Sequence, residues 1–164
     1  MPRRRRSYEA GHQPKLLVVI DDTEECDHAV YYASRRAARI GANVTMLRVI
    51  ETQDASQQWL GVADIMRAEA HEEANAVLDR HAARSSSITG VMPQRVIREG
   101  EKAQEVLNLI EDDEDIAILV LAAATSKEGP GPLVSSVSKT AGDFPIPVAI
   151  VPGHLSDEEL DAMS

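Results

Sequence analysis

Residues Leu16-Leu17-Val18-Val19-Ile20 form an apolar run that does not alternate and stops on Asp21-Asp22-Thr23-Glu24-Glu25. A run of that kind, rich in branched residues, reads as a strand buried on both faces, which places it inside a parallel sheet. The acids that follow sit where a helix dipole favours negative charge, and Asp22 with Glu25 has the spacing of a capping box. A buried strand therefore feeds straight into a helix, and the Asp21 carboxylate is left at the strand's C-terminal end. In open α/β sheets ligands bind outside that end.

The remaining chain repeats the unit. A helix is expected over about Glu24–Ile40, with Cys26, Ala29, Val30, Ala33, Ala37 and Ile40 on one face and Gly41 to end it. A second strand follows at once over Asn43–Ile50, as in a βαβ crossover. Glu51–Gly61 is a polar loop that carries Trp59. The next helix is expected over Val62–Arg84, with Val62, Met66, Ala70, Ala74, Leu78 and Ala82 in steps of four beside Ile65 and Val77, and with Ser85-Ser86-Ser87 ending it. A third strand, Pro93–Glu99, carries Arg95 and Arg98 and so suits a sheet edge. Ala103, Val106, Leu107 and Ile110 mark a short helix. Ile116–Leu121 is again wholly apolar and central. A loop with strong breakers, Ala122–Pro132, leads to a helix over about Ser135–Gly142. Pro145 and Pro147 precede the last strand, Val148-Ala149-Ile150-Val151. Ser156 with Glu159 forms another capping box before a short C-terminal helix.

Regular alternation of strand and helix, with right-handed crossovers and two wholly apolar strands side by side, gives an α/β fold. The expected form is an open, doubly wound, parallel five-stranded sheet in the order 3-2-1-4-5. Its topological switch lies between the first and fourth strands, and the crevice there is bordered by Asp21, Val49 and the segment 122–136.

The domain spans 15–152, between a basic tail over 1–14 and a short helical tail over 153–164. Aromatic residues are only 3% of the chain, so the core is aliphatic and alanine-rich. The formal net charge is −10. Residues 1–14 hold Arg3 to Arg6 and Glu9, a net of +3, so the other 150 residues carry −13. So acidic a body argues against nucleic acid as the partner. The Arg3–Arg6 tail reads as disordered and solvated. No apolar run approaches the ~20 residues of a membrane span, and no apolar segment of a signal peptide follows the basic N-terminus. A single cysteine, Cys26, fits a reducing, cytoplasmic setting.

Four features, in this order and at this spacing, resemble the universal stress protein family over about residues 15–152. They are the apolar strand ending Asp21-Asp22-Thr23, the strand ending Leu47-Arg48-Val49-Ile50-Glu51, the long loop leading to Ser135-Ser136-Val137-Ser138, and the closing Pro145-Ile146-Pro147-Val148-Ala149-Ile150-Val151-Pro152. The resemblance implies an adenine nucleotide alpha hydrolase-like fold and a homodimer paired through the last strand, with Val148, Ala149, Ile150 and Val151 at the interface. It also implies that Asp21 contacts adenine and Val49 lines the base pocket. Nucleotide-binding members carry G-x2-G-x9-G-[ST] after the fourth strand, whose glycines let backbone close around phosphates. Laid on this chain, the glycine positions fall on Ala122, Thr125 and Ser135, and the hydroxyl position on Ser136. A side chain at a position chosen for positive φ costs about 1 kcal/mol or more. The loop has its own Gly129, Gly131, Lys127 and Ser126, so it forms either a different anion nest or a stiff closure over the cleft.

No nucleophile–base set stands out. His28 and His71 read as helix-surface residues, and Cys26 lies on the apolar stripe as a core residue. Asp21 and Asp22 suit Mg2+ carried with a nucleotide, or plain helix capping. These features point to a non-catalytic, universal-stress-type dimer that acts in the stress response with weak or no ATP binding, its client unknown. The alternative is an ATP- or AMP-binding regulatory module with slow ATP hydrolysis. An adenine-nucleotide-dependent enzyme ranks behind both, because acids occupy the turn after the first strand where a pyrophosphate loop needs glycines.

Overall fold

A computed structural model describes residues 4–51 and 60–164, with side chains omitted at 60–62. Its elements are β1 (Lys15–Val19), α1 (Cys26–Ile40), β2 (Asn43–Ile50), α2 (Leu60–Thr89), β3 (Gln94–Glu99), α3 (Lys102–Asp112), β4 (Ile116–Ala123), α4 (Pro132–Lys139), β5 (Val148–Pro152) and α5 (Asp157–Met163). The strands form one five-stranded sheet in the order β3-β2-β1-β4-β5, and every pairing is parallel. The expected topology is therefore the observed one.

The apolar run explains why. Leu16, Val18 and Ile20 pack against Ala29, Val30 and Ala33 of α1 and Leu78 of α2. Leu17 and Val19 point the other way, to Val106, Leu109 and Ile110 of α3 and Val134 and Val137 of α4. Leu16, Leu17, Val18 and Ile20 are each at most 1% exposed. Full burial of one such side chain contributes ~1.5–3 kcal/mol. A polar residue at any of positions 16–19 would put that polar group inside one of the two cores.

Several boundaries differ from expectation for identifiable reasons. The Asp22–Glu25 capping box does not form: Glu25 occupies the N-cap position of α1 without a side-chain cap. Asp21 instead accepts from the Thr23 N–H at 2.9 Å, while the Arg48 guanidinium holds Asp22 at 3.0 Å. The three serines do not end α2. Ser85 is fully buried, and Ser34 donates to its hydroxyl at 2.7 Å across the α1–α2 contact, so the helix runs on to Thr89. There Gly90, at φ 76°, closes it by donating to the Ser86 carbonyl. The α2 stripe is buried only from Ala74 onward, and Ile65 and Met66 are exposed. A helix of 30 residues is ~45 Å long, against ~26 Å for the eight-residue β2, so its first turns overhang the sheet's C-terminal end. Trp59 and most of the Glu51–Gly61 loop lie outside the described residues.

The described N-terminal residues and the last helix are both tied to the body of the fold. A solvated tail is expected over 1–14; in its described part, 4–14, Arg5 donates to the carbonyls of Ile110 (2.6 Å) and Asp113 (2.9 Å) at the C-terminus of α3. The Arg6 N–H reaches the Glu114 carbonyl, and His12 pairs with Asp115 at 2.7 Å. One arginine of the basic cluster thus satisfies carbonyls that a helix end leaves without partners. At the other end the expected Ser156–Glu159 capping box forms. Arg39 anchors α5 through the carbonyls of Asp161 and Ser164.

Candidate functional site

The crevice at the switch point is built from the ends of β1, β2 and β4. The Ile20 N–H donates to the Leu47 carbonyl at 2.7 Å and carries the β1–β2 pairing one residue past the strand. Asp21 is thereby fixed at the end of β1. Its carboxylate accepts from both the amide and the hydroxyl of Thr23, so the turn is closed locally. Val49 is 6% exposed and belongs to the cluster on the α3–α4 face. Asp21 and Val49 therefore stand at neighbouring strand ends, one polar and one apolar.

Arg48 was not singled out from sequence, yet it organises this end of the sheet. It alternates to the opposite face from Val49, with its side chain only 14% exposed. It donates to the Ile20 carbonyl at 3.3 Å and to Asp22 at 3.0 Å, which links β2 to the β1–α1 turn. The signal was present: one cation in the otherwise uncharged stretch Val44–Ile50. Gly153 was also missed. A Cβ there would stand 2.4 Å from the Ala123 carbonyl oxygen and 3.2 Å from the Glu25 Cβ. The chain leaving β5 thus passes in close contact with the end of β4 beside α1, and only glycine fits.

Ala122 is in β4, opposite Val151 of β5. Thr125, Ser126 and Lys127 are exposed in the following loop. Three amides are bonded within that loop: the Ala124 N–H donates to the Pro130 carbonyl, the Gly129 N–H to the Ser126 carbonyl, and the Glu128 N–H to Ser126 Oγ. The strain expected at Thr125 does not arise, because among the described residues only glycines adopt positive φ. Gly129 (113°) and Gly131 (110°) carry those conformations here. The helix also starts earlier than expected. Gly131 is the N-cap and Pro132 the first residue of α4, so Ser135 lies within the helix and its N–H donates to the Gly131 carbonyl at 3.0 Å. Ser136, one residue further in, is likewise at a position where the amide bonds four residues back. The expected phosphate-facing amides are thus engaged inside α4.

The other titratable groups are structural. Cys26 is 2% exposed and its Sγ lies 3.7 Å from the Val19 carbonyl oxygen; burial pushes the thiol up to about 12, far from thiolate chemistry. His81 is buried, and desolvation, then Arg80, push its pKa down. His28 is half-buried rather than on the surface, with Nδ1 buried and without a partner. His71 stands 3.5 Å from Glu99. Among the described residues no group of three or more His, Cys, Asp or Glu is placed to hold a metal ion, and no helix is long and apolar enough to cross a membrane. Asp21 and Asp22 each engage a protein donor, Thr23 and Arg48 respectively.

The model of the Universal stress protein family matches residues 14–152. No curated protein matches the sequence. Among solved structures, universal stress protein UspA from Lactobacillus plantarum is similar with a TM-score of 0.69 and 17% identity, covering 84% of this chain and 97% of that one. The Archaeoglobus fulgidus universal stress protein solved with dAMP gives a TM-score of 0.57 and 14% identity, covering 84% and 96%. An Arabidopsis thaliana family member with AMP bound gives 0.60 and 17%, covering 88% and 94%. At these identities the likeness establishes the fold.

Proposed function

Because this chain belongs to the universal stress protein family, we propose that it is a non-catalytic homodimer of the stress response whose crevice takes an adenine nucleotide weakly. One observation carries the reading. Asp21 and Val49 stand at neighbouring ends of β1 and β2, and the Ala124, Glu128 and Gly129 amides of the β4–α4 loop are bonded within that loop. A base can then be held by one polar and one apolar wall, while three loop amides and that of Ser135 are already engaged and fewer donors are left for phosphates. The Arabidopsis thaliana and Archaeoglobus fulgidus proteins, solved with AMP and dAMP, support adenine as the base. Dimerisation through β5 is supported by its position at the sheet edge and by Ile150, a large apolar residue left 43% exposed there.

Titration calorimetry with Mg-ATP and AMP tests the site. The expected affinity is weak for both, and Asp21→Ala should lower it by about tenfold, the effect of one lost hydrogen bond to a buried polar edge. Unchanged binding by Asp21→Ala would remove the base from this crevice. Release of phosphate from ATP at a rate that depends on Asp21 would overturn the non-catalytic reading.

A further inference from the structure

We infer that the face of α1 and α2 beneath α5 is a docking surface for an acidic, leucine-bearing helix of a partner protein, and that α5 covers it in cis as a competitor.

α5 lies beyond residues 14–152, the span that the family model matches. It carries Asp157, Glu158, Glu159 and Asp161 and no cation. α1 carries Arg35, Arg36 and Arg39 against a single acid, Asp27. The chain as a whole is strongly acidic, so α1 is a local basic surface and α5 its charge complement.

Asp27, Tyr31, Arg35 and Arg39 recur every four residues and share one face of α1. Arg35 Nε and Arg39 Nη2 hold Asp161 Oδ1 at 3.0 and 3.1 Å. Arg84 reaches over from α2, where its Nη2 donates to the Asp157 carboxylate at 3.2 and 3.1 Å. Its Nε stands 2.8 Å from Asp27. The guanidinium groups of Arg35 and Arg84 both lie over the Tyr31 ring, 5.7 and 5.2 Å from its centroid, which restrains them. Arg39 Nη1 donates to the Asp161 and Ser164 carbonyls, groups that a helix end leaves unpaired. Leu160, 1% exposed, plugs the core of the α1 face. The surface thus reads an acid in the first turn of a short helix, a leucine three residues on, an acid at the fourth, and the open carbonyls at its end. No contact in that set requires a covalent link to β5.

α5 is a weak occupant. Its seven residues fall short of the ~12–15 that a helix needs to persist alone in water, so it folds only as it docks. Asp157 and Asp161 are half-exposed, and salt screens their ion pairs. The short link over 153–156 keeps it in place by an effective concentration on the order of millimolar. A partner helix with the same pattern, but longer and so better formed, displaces it.

Fluorescence anisotropy of a labelled peptide of residues 153–164, titrated with the full chain, tests this. Wild type should bind it weakly, because its own α5 occupies the face. Asp157→Lys with Leu160→Ser and Asp161→Lys releases α5 in cis, and peptide affinity should rise by about tenfold or more as the tethered competitor is lost. Asp161→Lys alone keeps Leu160 in place; it should give a smaller gain and reads the same effect if the triple variant does not fold. Adding Arg35→Glu and Arg39→Glu to either variant should abolish the gain. Equal peptide affinity for wild type and the released variants, or a gain that survives Arg35→Glu with Arg39→Glu, overturns the inference. Displacement of the peptide by unlabelled wild-type chain as effectively as by free peptide would also overturn it, since the occupant would then be α5 of a second copy.

Discussion

The two edges of the sheet differ in how they treat their unpaired backbone. β3 is guarded by charge along its length. Arg95 pairs with Asp79 and reaches the Asn75 carbonyl of α2. Arg98 pairs with Asp112 of α3 at 3.0 Å. Glu99 accepts from Nε and Nη2 of Arg67, at 2.8 and 2.6 Å. β5 has no charged residue: it reads Val148-Ala149-Ile150-Val151-Pro152, with Ile150 exposed. A bare edge is a template for another strand, and charges at an edge suppress that pairing. The same sheet thus closes one edge with ion pairs to the helices beside it and leaves the other apolar, which suits a second copy of the chain across a two-fold axis.

The largest expected effect comes from reversing the character of β5. Ile150→Lys places a cation on that edge at a position already 43% exposed, so the monomer's fold should tolerate it. In a symmetric pair the two new lysines face one another, and the dimer dissociation constant should rise by about 100-fold or more. Multi-angle light scattering at micromolar protein would show a dimer for wild type and a monomer for the variant. Equal masses for the two proteins would mean that β5 is not the contact. Val148→Lys tests the same surface, but Val148 also packs against the α3–α4 core, so its loss of stability has two sources.

How much of this was legible follows from which contacts are local. Both central strands announced themselves as apolar runs, and the edge character of β3 was carried by Arg95 and Arg98. Helix starts were harder. Asp22 had a local capping role by spacing, but Arg48, 26 positions away, draws it off. The burial of Ser85 depends on Ser34, 51 positions earlier. In the crevice, Asp21 and Val49 could be placed from the strand ends. The fate of the Ser135 amide could not, because it turns on whether α4 begins at Pro132 or three residues later, and proline at the first helical position favours the earlier start.

A smaller effect is expected from stripping the guard of β3. Arg95→Val with Arg98→Val removes two partly exposed ion pairs, which together contribute about 1 kcal/mol, or a Tm lower by about 3 °C. The more informative readout is association. With its charges gone β3 becomes a second apolar edge, and higher oligomers should appear on top of the β5 pair. Combining these changes with Ile150→Lys separates the edges: a dimer that re-forms in the combined variant must use β3. A monodisperse protein of unchanged mass in the double variant would show that the ion pairs serve α2 and α3 docking rather than edge protection.

The smallest effect is pH dependence, which should fall on groups in contact with α2 and not on β5. Two groups there prefer one protonation state when folded. Burial, then Arg80, lowers the pKa of His81 from 6.5, so the folded chain favours the neutral ring. Above 6.5 folded and unfolded chains both hold it neutral and nothing is lost; as pH falls below 6.5 the unfolded chain takes the proton first, and stability declines until the folded value is reached. The Arg67 hydrogen bond lowers the pKa of Glu99 from 4.5. Its contribution is full above 4.5 and is lost as pH falls through the lower folded value. Stability should therefore drop in two steps on acidification, the first from beneath α2 and the second at its ion pair with β3. β5 itself carries no titratable side chain, so dimer mass should hold while the first step proceeds. Thermal melts from about pH 7.5 down to about pH 5 on wild type and His81→Gln read the first step as a slope, which is independent of any constant loss that the substitution brings. His81→Gln should flatten that slope, and a slope identical to wild type would exclude His81 as its source.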